Sequence, residues 1–98
     1  MLFVLNCTDK PNSAALRSEV RPQHLAYIQA HGSKVVIAGP FLSDDGKSMI
    51  GSLIVFDALN SDEVRQFSAL DPYSQAGLFA QVDIKPWRWI VGAPKAQV

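Results

Sequence analysis

The side chains best suited to chemistry in this sequence are His24, in a predicted helix, and Asp71, in the segment Leu70 to Phe79. A histidine and a carboxylate that meet in the folded chain can transfer a proton near neutral pH. The carboxylate would hold one imidazole N–H, fix the tautomer and favour the charged ring. We therefore predict a His24–Asp71 dyad for general acid and base chemistry.

Each member of this pair also has an ordinary structural interpretation. His24 falls at the boundary between the apolar and polar sides of its helix, where a half-buried histidine often binds a backbone carbonyl. Asp71 precedes Pro72, and an aspartate before a proline at a helix start is a common cap. A carboxylate has two oxygen atoms, so Asp71 could cap the helix and hold the imidazole at once.

Three further side chains could bind a substrate beside the pair. Arg17 and Arg21 could hold a carboxylate or phenolate through their planar guanidinium groups, although solvent-facing arginines are the commoner explanation. Tyr73 could donate a proton, orient an oxygen atom or simply pack beside the helix start. Together these side chains predict a small anionic organic ligand.

Composition and charge exclude several classes of protein. The 98 residues are 48% hydrophobic and 18% charged, which predicts one globular domain over residues 1–98. Nine basic residues balance nine acidic ones, so neither nucleic acid nor an anionic membrane surface is an expected partner. The lone Cys7 cannot form an internal disulfide, and the opening residues lack the pattern of a signal peptide. We therefore predict a cytoplasmic protein.

The sequence lacks the parts of richer catalytic sites. Two histidines and one cysteine give no closely spaced set of metal ligands, and there is neither a P-loop nor a dinucleotide-binding fingerprint. No serine or cysteine is tied to His24 by spacing, so a nucleophilic triad has no support. We predict neither a metal nor a cofactor.

The pattern of apolar and turn residues predicts the order βαββαβ. The predicted elements are a strand over 1–7, a helix from a Ser13 cap to about Gly32 that kinks or divides at Pro22, strands over Lys34–Pro40 and Ser48–Asp57, a helix from a Ser61 cap to about Leu70, a short helical turn from Asp71 to Gly77, and a strand over Phe79–Trp89. This order is typical of the ferredoxin-like α+β fold, an antiparallel sheet with two helices on one face.

The strands also predict an oligomer. Strands one and three are apolar on both faces, whereas two helices can cover only one face of the sheet. An uncovered apolar face would be unusually large for a monomer, so we predict a face-to-face homodimer. Trp87 and Trp89 lie on one side of the last strand, and we expect them at this interface.

The motifs of the chain, taken in order, resemble those of a known family. They are Arg21-Pro22-x-His24-Leu25, Ala38-Gly39-Pro40, Gly51, Asp71-Pro72-Tyr73-x-x-Ala76-Gly77-Leu78-Phe79 and Ile84-Lys85-Pro86-Trp87. This pattern resembles the YciI-like (YCII-related) family of small bacterial proteins. The resemblance implies a dimeric α+β barrel whose cleft holds a proposed histidine and aspartate dyad, which would be His24 and Asp71.

Two hypotheses of different classes follow. The first is a small cytoplasmic enzyme in which His24, oriented by Asp71, moves a proton during isomerisation or elimination on a small cyclic or hydroxyaromatic acid, with Arg21 holding the anionic group. The second is a noncatalytic ligand-binding or assembly module in which the dyad stabilises the fold. Family membership by itself specifies the fold better than the reaction.

Overall fold

The computed structural model describes residues 1–94 of the chain. Its elements are β1 (Leu2–Asp9), α1 (Ala14–Ala30), β2 (Val35–Leu42), β3 (Met49–Asp57), α2 (Ser61–Leu70), α3 (Pro72–Gln75) and β4 (Phe79–Trp87). The four strands form one antiparallel sheet in the order β2-β3-β1-β4. This arrangement confirms the predicted ferredoxin-like α+β fold, with α3 as the short helical turn expected after Asp71.

The main core lies between the helices and one face of the sheet. Phe3, Leu5 and Cys7 alternate along β1 with less buried neighbours, because successive strand residues point to opposite faces. Ile54 and Phe56 stand beside them on β3. Val64, Phe67 and Ala58 complete the cluster. Burial of these apolar side chains supplies most of the driving force that holds the helices on the sheet.

The helix starts differ from the prediction. Ser13 occupies the N-cap position of α1, but its hydroxyl donates to the carbonyl of Pro11 and makes no capping bond. The cap of α2 is Asn60 rather than Ser61, because the Asn60 side chain accepts the N–H of Glu63. Helix α1 is a single element that runs through Pro22, so of the two alternatives predicted there, a kink or a division into two helices, the division is wrong.

The strand ends and one helix face also differ. The prediction ended the second strand at Pro40, but β2 continues to Leu42 because edge strands tolerate a proline. Strand β4 ends at Trp87, two residues before the predicted end at Trp89. The helical spacing of α2 predicts Leu70 on one face with Val64 and Phe67; those two are buried, whereas Leu70, at the end of the helix, is 56% exposed.

The second face of the sheet carries no helix in residues 1–94; it is apolar over β2 and β3, whereas β4 presents Gln81, Asp83 and Lys85 on it. Cross-strand register places Val4 opposite Val55 and Val55 opposite Ile37, so these side chains share that face. Trp87 lies opposite Leu2 at one end of it. We call this surface the open face.

In residues 1–94, no helix has both the length and the apolar character needed to cross a bilayer.

Candidate functional site

His24 and Asp71 meet where α1 passes α3. Nδ1 of His24 lies 2.9 Å from Oδ1 and 3.1 Å from Oδ2 of Asp71, and both residues are buried. Oδ1 also accepts the N–H of Tyr73 at 2.9 Å, which caps α3. Asp71 therefore has both predicted roles, and the imidazole binds a carboxylate rather than a backbone carbonyl.

The second ring nitrogen of His24 remains available to a ligand. Nε2 has no hydrogen-bond partner among residues 1–94, and no buried polar side-chain atom in that range lacks one. Nε2 must therefore be in contact with solvent, and His24 lines a pocket. Because the carboxylate accepts from Nδ1–H, the neutral ring presents Nε2 as a proton acceptor.

Tyr73 holds the imidazole in place from one side. Its ring stacks on that of His24, with centroids 4.0 Å apart and an interplanar angle of 18°. Tyr73 is fully buried, and burial raises the pKa of its phenol above the ordinary 10.0, partly offset by the charges of Arg17 and Arg21. The phenol consequently keeps its proton near neutral pH.

Arg17 is buried in a network of hydrogen bonds. Its Nε donates to Oδ2 of Asp9 at 2.8 Å, and its Nη2 donates to the Gly51 carbonyl and the Ser52 hydroxyl, each at 2.6 Å. Its guanidinium carbon lies 4.7 Å from the centre of the Tyr73 ring. The solvent-facing interpretation is therefore wrong for Arg17, whose charge and most of whose donors are satisfied by the protein.

One pocket brings the predicted side chains together. Its volume is about 250 Å³. It is lined by Arg17, Arg21, His24, Leu25, Ile28, Ala38, Gly39, Pro40, Met49, Ser52, Ile54 and Tyr73. Arg21 is exposed and has no salt-bridge partner within the described part of the chain. The pocket thus combines apolar walls, a free nitrogen base and an uncompensated positive charge.

Other candidate sites in residues 1–94 have fewer groups that could bind a metal or react with a substrate. A larger, more open depression of about 790 Å³ is bordered by Trp87 and Trp89, but it contains neither histidine. No cluster of three or more metal-ligand side chains occurs there. Burial, followed by the charges of Asp71 and Asp9, raises the pKa of Cys7 from 9.0 to about 12, so its thiol is a poor nucleophile near neutral pH.

Two residues of this site were absent from the sequence prediction. Asp9 neutralises Arg17, and Ser52 lines the pocket beside His24. Ser52 is a polar residue on the helix-facing side of β3, where its neighbours Ile54 and Phe56 are apolar. That interruption of an apolar pattern was a usable signal. Asp9 had no comparable signal, because its partner is known only after the fold is known.

Comparison with known proteins identifies the family. The sequence matches the YCII-related domain over residues 1–88. The chain belongs to the YCII-related family. An uncharacterised Haemophilus influenzae protein is 33% identical over 96 residues, covering 90% of this chain and 97% of that protein. Protein YciI of Escherichia coli O6:H1 is 30% identical over 95 residues, with the same coverage of each chain.

A solved structure of similar fold contains a bound ligand. It is similar to this chain with a TM-score of 0.83 and 36% identity, and the match covers 90% of this chain and 94% of the other. That protein is the 5-chloro-2-hydroxyhydroquinone dehydrochlorinase TftG from Burkholderia phenoliruptrix AC1100, in complex with 2,5-dihydroxybenzoquinone. A similar fold therefore holds a small oxygenated ring in that protein.

Proposed function

We propose that this protein is a small cytoplasmic enzyme that performs acid and base chemistry on a hydroxylated ring or a small cyclic acid. The observation that carries the proposal is that the two ring nitrogens of His24 have different surroundings. Nδ1 is bonded to a buried carboxylate, while Nε2 is left open to the pocket. A histidine oriented by a carboxylate and open on its second nitrogen is suited to accept and return a proton.

The pocket favours a small anion. Its volume of about 250 Å³ is just below the roughly 300–1,000 Å³ typical of sites for drug-sized ligands, so a single ring suits it better than a larger molecule. Arg21 carries the positive charge that would hold a phenolate or carboxylate. Arg17 would contribute mainly through its positive field, because Asp9, Gly51 and Ser52 occupy most of its donors.

Loss of HCl from a chlorinated hydroxyquinol illustrates a reaction within reach of such a site. The proton of one ring hydroxyl would move to the carbon that bears chlorine. Chloride would then leave together with the proton of a second hydroxyl, and a hydroxyquinone would remain. The steps balance without an oxidant or reductant. His24 would transfer the protons, and Asp71 would stabilise the imidazolium that forms between them.

The proposal is tested by chloride release from 5-chloro-2-hydroxyhydroquinone. We expect turnover by the wild type, and a loss of about 10²- to 10⁴-fold in His24→Ala with the fold intact. His31→Ala is the matched control, because His31 binds the carbonyl of Tyr27 and lies outside the pocket lining. Equal turnover by His24→Ala and wild type would contradict the catalytic role.

The noncatalytic alternative has its own expected result. Asp71 joins the capping of α3 to His24 on α1, so the pair could serve stability alone. In that case neither the wild type nor any variant would release chloride. His24→Ala would instead lower the free energy of unfolding by about 1–3 kcal/mol, as measured by urea denaturation.

We also propose that two copies of the chain pair through the open face. The apolar residues Leu2, Val4, Leu53, Val55, Ile37, Phe41 and Trp87 lie on this side of the sheet. Ile37, Phe41 and Trp87 are exposed, whereas Val55 is buried. Exposed apolar side chains that cluster on one face are typical of subunit interfaces. Sedimentation velocity at micromolar concentration should give a dimer. A species of monomer mass across that range would show that the open face is not an interface.

A further inference from the structure

We propose that Ser52 binds the ligand of the pocket by donating its hydroxyl proton to a ligand oxygen atom. This inference rests on the proposed function of the pocket and extends it, because Ser52 would become a second polar contact beside His24. The ligand would then need two separate groups. One is the group that exchanges a proton with His24, and the other is an oxygen atom that accepts the proton of Ser52.

The hydrogen bonds of Ser52 leave its proton available. Arg17 can only donate, so the 2.6 Å contact from its Nη2 occupies a lone pair of the Ser52 hydroxyl and not its proton. Among residues 1–94, the Ser52 hydroxyl accepts this bond and donates none. Ser52 is 4% exposed, yet it lines the pocket. A nearly buried hydroxyl whose oxygen is already bonded needs an acceptor, and the pocket is where a ligand can supply one.

The neighbours of Ser52 in the sheet offer no competing oxygen atom from their side chains. Its cross-strand partners are Cys7 on β1 and Pro40 on β2. Burial keeps the Cys7 thiol protonated, and the ring of Pro40 is apolar. The hydroxyl proton is thereby left for the pocket side.

Arg17 makes the hydroxyl a better donor and fixes its position. Its guanidinium is held by Asp9, the Gly51 carbonyl and the Ser52 oxygen together, so the oxygen atom of Ser52 is anchored from a rigid group. A hydroxyl that accepts from a cation is polarised and donates more strongly. Ser52 is thus suited to bind a carbonyl or phenolate oxygen of a ring.

The experiment compares variants that differ by one hydroxyl. Isothermal titration with 2,5-dihydroxybenzoquinone would measure the Kd of wild type and Ser52→Ala, and of the similarly shaped pair Ser52→Thr and Ser52→Val. We expect Kd to rise about tenfold from wild type to Ser52→Ala and again from Ser52→Thr to Ser52→Val. Ser68→Ala, a buried serine outside the pocket lining, is the control and should leave Kd unchanged.

The outcomes separate this inference from the proposed function. If His24→Ala weakens binding but removal of the Ser52 hydroxyl does not, the Ser52 contact is wrong and the pocket assignment stands. If the wild type does not bind 2,5-dihydroxybenzoquinone, both fall. Urea unfolding reports whether each variant is folded, and the Thr and Val pair decides the question should Ser52→Ala fail to fold.

Discussion

The imidazole ring of His24 lies nearly parallel to the phenol ring of Tyr73, with centroids 4.0 Å apart. The Asp71 carboxylate holds the same imidazole through Nδ1 and accepts the backbone N–H of Tyr73. The Asp71 carboxylate and the Tyr73 ring, at the start of one short helix, therefore both contact a single histidine. Such double restraint fixes the direction in which Nε2 faces the pocket, which is what proton transfer requires.

This relationship predicts that the ring of Tyr73 matters more than its hydroxyl. Tyr73→Phe keeps the stack and loses only a 3.5 Å contact with Arg17, so the free energy of unfolding should fall by less than about 1 kcal/mol. Tyr73→Ala should lower it by about 3–5 kcal/mol, because the side chain is fully buried. Urea denaturation and chloride release would be measured for both. Loss of turnover in a folded Tyr73→Phe would instead identify the phenol as a proton donor.

Mutation of the two arginines of the pocket should have different effects on stability and on ligand binding. Arg17→Met leaves the buried Asp9 carboxylate unpaired and should lower the free energy of unfolding by about 3–5 kcal/mol. Arg21→Met changes an exposed residue and should alter stability by less than about 0.5 kcal/mol while weakening the binding of 2,5-dihydroxybenzoquinone. Thermal unfolding and titration give both quantities. Equal stability losses in the two variants would show that the Arg17 network is not a structural centre.

The sequence carried enough information to predict the architecture and the contact between His24 and Asp71. Apolar alternation and turn residues predicted the strands, and the Asp71-Pro72 step predicted a helix start. That start placed a carboxylate at a fixed point of the chain, and the family resemblance connected it to His24. The choice of helix cap was less predictable, since Asn60 and Ser61 are adjacent and are both good capping residues.

The burial of Arg17 could not be predicted from its position on a helix. A helical projection shows only which residues of one helix share a face, and the solvent-facing interpretation of Arg17 followed from what is common for arginine. Its partners Asp9, Gly51 and Ser52 lie on two strands whose register is set by long-range pairing. An arginine becomes a core residue only when such acceptors converge on it, and this convergence is a property of the tertiary fold.

Close backbone approach predicts different tolerance at two glycines. A Cβ at Gly51 would lie 2.5 Å from the carbonyl oxygen of Cys7, so Gly51→Ala must displace β1 or β3 and with them the carbonyl that Arg17 binds. We expect a loss of about 1–3 kcal/mol in the free energy of unfolding. Gly39→Ala is the control, because nothing lies within 4 Å of its Cβ position. Equal stabilities in urea would contradict the close packing of β1 on β3.

Three protonated groups, the buried Cys7 and Tyr73 and the partly buried Tyr27, predict loss of stability in alkali. Burial is the largest cause that raises the pKa of Cys7 to about 12 and the pKa of Tyr27 and Tyr73 above 10.0. Because each group binds its proton more tightly when folded, its contribution is complete below the unfolded pKa and is lost as pH rises toward the folded one.

Stability should therefore fall above about pH 9, first through Cys7, by roughly 1.4 kcal/mol per pH unit for each proton released on unfolding. Urea denaturation from pH 8 to pH 11, under reducing conditions, would measure this slope. Cys7→Ala should be less stable than the wild type at pH 8. Its stability should fall less steeply between pH 9 and pH 10, because in that range the unfolded wild type loses its proton mainly from Cys7. An unchanged slope in that variant would mean that the thiol is not held protonated by burial in the folded protein.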